Sequence, residues 1–172
     1  MRAPEERRYA FETATIDRRL GRELSGLELL RRIRDGELPT AAMAQTLAFR
    51  FAEVEPGRVV VEGEADRFVY NMWGIAHGGW AATLLDTCMG CAVSTTVPKG
   101  SGYTTVDLTI NYVRPARAET GLVRAEGRVL HAGRRTATAE GRLVAASDGR
   151  LLAHGLTTCL IFELGPDDAA GP

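Results

Sequence analysis

The pattern of apolar and polar positions predicts two kinds of element in the first third of the chain. Residues 26–34 repeat apolar side chains at the three- and four-residue spacing of an amphipathic helix, which we expect to end at Asp35-Gly36. Residues 47–52 and 59–65 instead alternate in polarity on either side of a Pro-Gly turn. This alternation is typical of two strands joined as a hairpin.

The rest of the chain predicts one buried helix followed by four strands. Residues 78–93 contain a single charged side chain, which predicts a helix buried on most of its surface. The alternating segments that follow predict strands at 103–114, 121–131, 134–146 and 150–162. This order fits one long antiparallel sheet wrapped around a central helix, an α+β fold. The last strand is apolar on both faces, so we expect the helix to cover one face and a second subunit the other.

The same patterns divide the chain into three segments. Residues 1–37 form a predicted N-terminal extension, in which residues 1–24 alternate charges with few apolar anchors and are typical of an arm or a marginal helix. Residues 38–163 carry the hairpin, the central helix and the later strands, and we expect them to form one domain. Residues 164–172 are expected to be a frayed tail.

Composition and charge narrow the class of partner and the compartment. The net charge of -1 and the absence of a long apolar run argue against nucleic acid or a membrane as a partner. The polar first 20 residues do not resemble a signal peptide, and three cysteines suggest free thiols, so we expect a cytoplasmic protein. Cys88 and Cys91 lack the further ligands of a metal site, so we expect them to pack in the core, with no metal and no cofactor.

The candidate chemistry lies in the central helix and at its start. Asp86 is the only charge in an apolar segment, where an acid is rarely kept without a partner or a role. His77-Gly78-Gly79 opens the same helix with small residues, so free backbone N–H groups and the positive end of the helix dipole face whatever binds there. Such donors together with a carboxylate could stabilise an oxyanion and act as base or nucleophile.

These residues resemble those of a known family. Asn71 lies six residues before His77, Asp86 lies nine residues after it, and Thr105 lies in a Thr-rich strand after the helix. This spacing resembles the hotdog-fold acyl-CoA thioesterases of the phenylacetate-pathway (PaaI-type) branch. The likeness covers roughly residues 38–163 and implies a hotdog fold for them.

The resemblance implies hydrolysis of an aryl- or medium-chain acyl-CoA to the free acid and coenzyme A. It assigns the oxyanion donor to the backbone near Gly78 and the nucleophile or general base to Asp86. It also implies that Asn71 orients water or the carbonyl and that Thr105 assists the water. His77 is a further catalytic candidate, which could contact the substrate directly. Since coenzyme A thiolate is a good leaving group, a strong general acid is not needed.

Further residues are candidates for binding the substrate. Gly79 belongs to a strip of small helix residues that lets a partner helix or a pantetheine arm come close. Arg114, Arg134 and Arg135 lie at strand ends and turns, where cations could bind the phosphates of coenzyme A.

The spacing on the helix predicts a site shared between two subunits. Gly78 and Asp86 are eight residues apart, hence about 12 Å along the helix axis, so one carbonyl carbon cannot reach both in a single chain. We therefore expect a homodimer with composite sites, as in the family, assembled further as a dimer of dimers.

Other interpretations remain open at this stage. The runner-up enzyme is a hotdog acyl-CoA hydratase or dehydratase, and the non-enzymatic alternative is an acyl-CoA-binding module. Asp86 could be a structural acid, Asn71 could cap a turn, and His77 could only shape the helix start. Each candidate arginine could also be an ordinary solvated surface residue.

Overall fold

The computed structural model describes residues 5–13 and 16–165, and its centre is a six-stranded antiparallel sheet. The strands lie in the order β1-β2-β4-β5-β6-β3, so β1 and β3 are the two edges. The elements are α1 (Arg18–Glu23), α2 (Gly26–Arg34), α3 (Ala42–Leu47), β1 (Phe49–Glu55), β2 (Arg58–Glu64), α4 (Gly78–Ser94), β3 (Ser101–Tyr112), β4 (Leu122–Ala132), β5 (Thr136–Ala145) and β6 (Leu151–Glu163). The α+β class expected from the sequence is confirmed.

Helix α4 packs against a row of glycines in the sheet. Gly127, Gly141 and Gly155 are paired in register across β4, β5 and β6. A Cβ atom at Gly127 would come within 2.4 Å of the Cys88 carbonyl oxygen, and one at Gly141 within 2.8 Å of the Met89 side chain. Because the sheet has no side chains along this row, the helix backbone approaches it closely and is mostly buried, as the sequence predicted.

The opposite face of β1, β2 and β4 carries a ladder of ion pairs. Arg58 bridges Glu53 and Glu126 at 2.7 Å each, and Arg124 pairs with Glu62 and Glu53. These hydrogen bonds with Arg58 and then Arg124 lower the pKa of Glu53 below its usual value. The predicted alternation of apolar and charged residues in these strands is therefore confirmed, with the apolar face toward α4.

The N-terminal extension packs against the rest of the fold where the structure describes it. Helix α2 has the predicted bounds and begins with a capping box between Ser25 and Glu28. The Arg7 guanidinium lies 3.6 Å above the Phe68 ring and donates to the Thr46 carbonyl at 2.8 Å. The arm or marginal helix predicted for residues 1–24 is thus helical at α1, while its residues 1–4 and 14–15 lie outside the described part.

The structure corrects several predicted boundaries. Helix α3 was not predicted, because its short apolar segment runs into the strand pattern, and β1 begins at Phe49 rather than at residue 47. Strand β3 covers 101–112 instead of 103–114. The face of β6 away from α4 is open in this chain, with Leu156 half exposed, so its predicted cover by a second subunit stays a prediction. Of the tail predicted at 164–172, only residues 164 and 165 are among the described residues.

Candidate active site

A β-bulge in β3 decides which of its side chains reach helix α4. Thr105 pairs with Cys159 and Asp107 with Thr158, so Val106 is an extra residue in the ladder. Thr105 and Tyr112 are seven positions apart and would lie on opposite faces of a regular strand. The extra residue reverses the alternation between them, and both side chains contact α4.

Asp86 and Thr105 form the central pair of the candidate site. The Thr105 hydroxyl donates a 2.9 Å hydrogen bond to Oδ1 of Asp86. Both side chains are half-buried, so the carboxylate is held in place and still open to a ligand. This direct contact supports the expectation that the two residues act together.

The start of α4 presents one backbone donor without an internal acceptor. His77 is the N-cap, and its Nδ1 accepts the Gly79 N–H at 2.9 Å. Among the hydrogen bonds of the described residues none uses the Gly78 N–H. Gly78 is half-buried and His77 exposed, so this donor can meet a ligand that approaches the helix end.

Tyr112 holds the helix start against the end of β3. Its hydroxyl donates to the Gly78 carbonyl at 2.9 Å, and a Cβ at Gly78 would lie 3.1 Å from the Tyr112 ring. A larger residue at 78 would have to displace this ring. The sequence pattern gives no sign of the bulge that turns Tyr112 toward the helix, so this contact was not predicted.

Asn71 belongs to the loop before α4 and caps a turn there. Its Oδ1 accepts the Trp73 N–H at 2.9 Å, and its own N–H donates to the Ile75 carbonyl. The turn-capping role considered for Asn71 is therefore present in the structure. The loop tip it supports exposes Met72 and Trp73 almost completely.

The three candidate arginines lie at two different ends of the fold. Arg114 follows β3 near the Gly78 end and donates to the Leu151 carbonyl. Arg134 and Arg135 line a cavity of about 450 Å³ beside Pro98, which follows the other end of α4. Since α4 has 17 residues, roughly 25 Å separates the two groups along the axis.

The cysteines near the site are not suited to act as nucleophiles. Burial raises the pKa of the Cys91 thiol to about 12 and that of Cys88 well above its usual value. The Tyr103 hydroxyl lies 3.7 Å from the Cys91 sulfur, and burial raises its pKa as well. Within residues 5–13 and 16–165, no three His, Cys, Asp or Glu side chains cluster as metal ligands would. Asp86 is thus the candidate with an ionisable group beside an open surface.

The sequence around this site is similar to that of known proteins. The sequence model of the Thioesterase superfamily matches residues 74–152, which include the start of α4, Asp86 and Thr105. Acyl-coenzyme A thioesterase 13 of Homo sapiens is 32% identical over 103 residues, covering 60% of this chain and 72% of the human protein. A Halobacterium salinarum protein named as an esterase is 39% identical over 77 residues, and the match covers 44% of this chain. The chain spans about half, 49%, of that relative's length.

A solved structure extends the likeness to most of the fold. A phenylacetic acid degradation-related protein from Ralstonia eutropha is 30% identical and superposes with a TM-score of 0.68. The superposition covers 76% of this chain and 98% of that protein. It confirms the arrangement of sheet and central helix expected from the sequence.

Proposed function

The chain belongs to the thioesterase superfamily and has its hotdog fold, and on that premise we propose that it hydrolyses acyl-CoA thioesters to a free acid and coenzyme A. The observation that carries the proposal is the Thr105–Asp86 hydrogen bond on the open face of an otherwise apolar helix. It holds a carboxylate at the position where the family resemblance predicts the nucleophile or base.

The proposed mechanism uses three residues of the chain, Asp86, Thr105 and Gly78. Asp86 attacks the thioester carbonyl carbon or takes a proton from the attacking water, while Thr105 holds the carboxylate. A Gly78 N–H donates to the carbonyl oxygen as it gains negative charge. The C–S bond then breaks, and coenzyme A leaves as the thiolate, which takes up a proton from solvent. In the nucleophilic route the acyl group is then an anhydride on Asp86, which water hydrolyses to the free acid and the Asp86 carboxylate. In the general-base route water supplies the oxygen of the acid directly, and Asp86 gives the proton it took to solvent.

The proposed site is composite. Gly78 and Asp86 lie about 12 Å apart on one continuous helix, so the two groups must come from different subunits to meet at one carbonyl. Strand β3 offers a surface for such a partner, because it is an edge strand with exposed Val106, Leu108 and Tyr112. We propose a homodimer with two sites, assembled further as a dimer of dimers.

The substrate's nucleotide part is proposed to bind the arginines. Arg134 and Arg135 are exposed beside a cavity, and neither forms an ion pair within the described residues. Exposed guanidinium groups that form no ion pair can bind phosphates through two parallel hydrogen bonds. Arg114 and Gly79 lie at the opposite end of α4 from Arg134 and Arg135. In the proposed dimer, one subunit would supply Arg134 and Arg135 to a site, and the other would supply Arg114 and Gly79.

The test is a thiol-release assay on the purified protein. Acetyl-, hexanoyl-, decanoyl- and phenylacetyl-CoA are each incubated with the protein, and free coenzyme A is followed with a thiol reagent. Release from at least one ester, lost in Asp86→Asn, is the expected result. Hydration of crotonyl-CoA without thiol release would indicate a hydratase instead, and tight acyl-CoA binding without either reaction would indicate a binding module.

A further inference from the structure

An apolar cavity lies between the N-terminal extension and helix α4. Its volume is about 520 Å³, within the range of about 300–1,000 Å³ that is usual for small-molecule sites. Helix α2, residues 39–44 and strand β1 form its walls, and Thr87 and Cys91 of α4 form its floor. Nothing in the mechanism above uses it.

The lining of the cavity determines what it can hold. Leu30, Ile33, Phe49 and Phe51 supply most of the walls, and no side chain of the described lining is charged. Cys91 is neutral at physiological pH, because burial raises its pKa to about 12. A charged group would lose its hydration there without a partner, whereas an apolar group would gain from burial.

The position of the cavity connects it to the reaction. Thr87 directly follows Asp86 in α4, so its side chain lies about 100° around the helix axis from the carboxylate, and the cavity floor adjoins the face of α4 that carries Asp86. Ala41 and Met43 also line the cavity and are exposed, which marks its open side. An acyl group in the cavity would therefore belong to a substrate whose chain runs from Asp86 around α4 to the neighbouring face of the helix.

The walls come mostly from residues that precede the segment matched by the family's sequence model. Residues 16–51 contribute ten of the twelve lining residues, and the match to the Thioesterase superfamily begins only at residue 74. The cavity is thus formed largely by residues N-terminal to the matched segment, packed against α4 within it. A segment of this kind is placed to select among substrates that share the same reacting group.

We propose that this cavity receives the acyl group of the thioester, and that the group is an uncharged apolar chain or ring of medium size. The inference rests on the proposed thioesterase function and assigns its acyl specificity to α2, α3 and β1. A dicarboxylic acyl group of equal length is excluded, because its terminal carboxylate would enter the apolar cavity.

The first test uses the wild-type protein and a ladder of substrates. From acetyl- to decanoyl-CoA, kcat/KM is expected to rise by about fourfold for each methylene that enters the cavity. Adipyl-CoA matches hexanoyl-CoA in length but ends in a carboxylate, and its kcat/KM is expected to be lower by about a hundredfold or more. Equal values for acetyl-, hexanoyl- and adipyl-CoA would overturn the cavity assignment and leave the thioesterase function standing. No thiol release from any ester would overturn both.

The second test fills the cavity from its open side. Ala41 is the N-cap of α3 and makes no side-chain capping bond, so Ala41→Trp removes no side-chain hydrogen bond and adds a ring to the cavity lining. The ratio of kcat/KM for decanoyl-CoA to that for acetyl-CoA should fall by about tenfold or more. Ala146→Trp adds the same ring at an exposed turn outside the cavity and should leave the ratio unchanged.

A second variant keeps the test decisive if Ala41→Trp unfolds. Ile33→Asp places a carboxylate in the half-buried α2 wall and should lower the same ratio, with folding checked by circular dichroism. An unchanged ratio in folded Ala41→Trp or Ile33→Asp would overturn the proposal. It would leave the cavity to another occupant, such as a segment of a second copy of the chain.

Discussion

At the level of single residues, the proposed chemistry depends on one carboxylate and the hydroxyl that holds it. Asp86 is on a helix whose other residues from Gly78 to Ser94 are uncharged, and Thr105 donates to it at 2.9 Å. A structural acid in such a place would be paired with a cation, but within the described residues Asp86 is in no salt bridge. Its partner is a hydroxyl that positions the carboxylate and leaves its charge available.

We expect Asp86→Asn to lower kcat by about 10³-fold or more, because the amide can neither attack the carbonyl nor take a proton from water. The change is nearly isosteric, so the melting temperature should stay within a few degrees of wild type. The matched control is Asp148→Asn, which changes an exposed acid in the turn between β5 and β6, away from the site, and should keep full activity. If Asp86→Asn kept more than about a tenth of the wild-type rate, Asp86 would have no chemical role.

At the element scale, the start of α4 can be tested with a matched pair of variants. Gly78→Pro and Gly78→Ala both add a Cβ that meets the Tyr112 ring at 3.1 Å, but only proline removes the N–H. Proline is tolerated at the first helical position, and His77 already has the extended ψ of 137° that proline requires before it. We expect Gly78→Pro to have a kcat about 10²-fold below that of Gly78→Ala. Equal rates in the two variants would rule out the Gly78 N–H as oxyanion donor.

The glycine row beneath α4 predicts a graded loss of stability. A Cβ at Gly127 would meet backbone atoms of Cys88 at 2.4 Å, which cannot move without shifting the helix. At Gly141 the nearest atoms belong to the flexible Met89 side chain, at 2.8 Å. Gly127→Ala should therefore lower the free energy of unfolding by about 3 kcal/mol, and Gly141→Ala by about 1 kcal/mol. Urea unfolding of both variants checks this order, and a larger loss at Gly141 would contradict the packing described.

The ion-pair ladder predicts a pH-dependent contribution to stability. Because hydrogen bonds with Arg58 and then Arg124 lower the folded-state pKa of Glu53, its ionised form stabilises the fold above the unfolded-state pKa of about 4.3. That contribution is lost as the pH falls through the lowered pKa. Glu53→Gln should cost about 1 kcal/mol at pH 7, a value reduced by partial exposure, and progressively less in acid. Glu55→Gln, at the more exposed end of the ladder, is the control, and a cost for Glu53→Gln that does not change with pH would contradict this account.

The sequence predicted the regular elements better than the contacts between them. Helix α4 was expected at 78–93 and spans 78–94, since its uninterrupted apolar pattern has no other interpretation. Helix α3 was missed, because six residues do not establish a helical period. The bulge at Val106 depends on how β3 pairs with β6, which no local pattern records. The contact of Tyr112 with Gly78 was missed for the same reason, whereas Asp86 and Thr105 were identified from family spacing.

At the scale of the whole molecule, the chain alone does not complete the proposed site. The Gly78 donor, the Asp86 carboxylate and the exposed arginines near Pro98 are spread along the full length of α4. The edge strand β3 and the exposed Leu156, Leu160 and Phe162 of β6 are open to further chains. In the described part of the chain, no helix combines the length and apolar character needed to cross a membrane. A second copy of the chain would bring the separated groups together and cover these surfaces.

The most direct test of the composite site is complementation between two inactive variants. Asp86→Asn and Gly78→Pro chains, with different affinity tags, are co-expressed, and the mixed dimer is isolated by purification on both tags in turn. Size-exclusion chromatography verifies its assembly, and Gly78→Ala combined with Asp86→Asn serves as the control for the added Cβ.

If each site takes Asp86 from one subunit and Gly78 from the other, the mixed dimer has one site with both changes and one intact site. Its thiol-release rate should then be about half that of the wild-type dimer, although each parent variant is nearly inactive. If one subunit supplied both groups, every site would carry a defect, and a verified mixed dimer with a rate near zero would contradict the account.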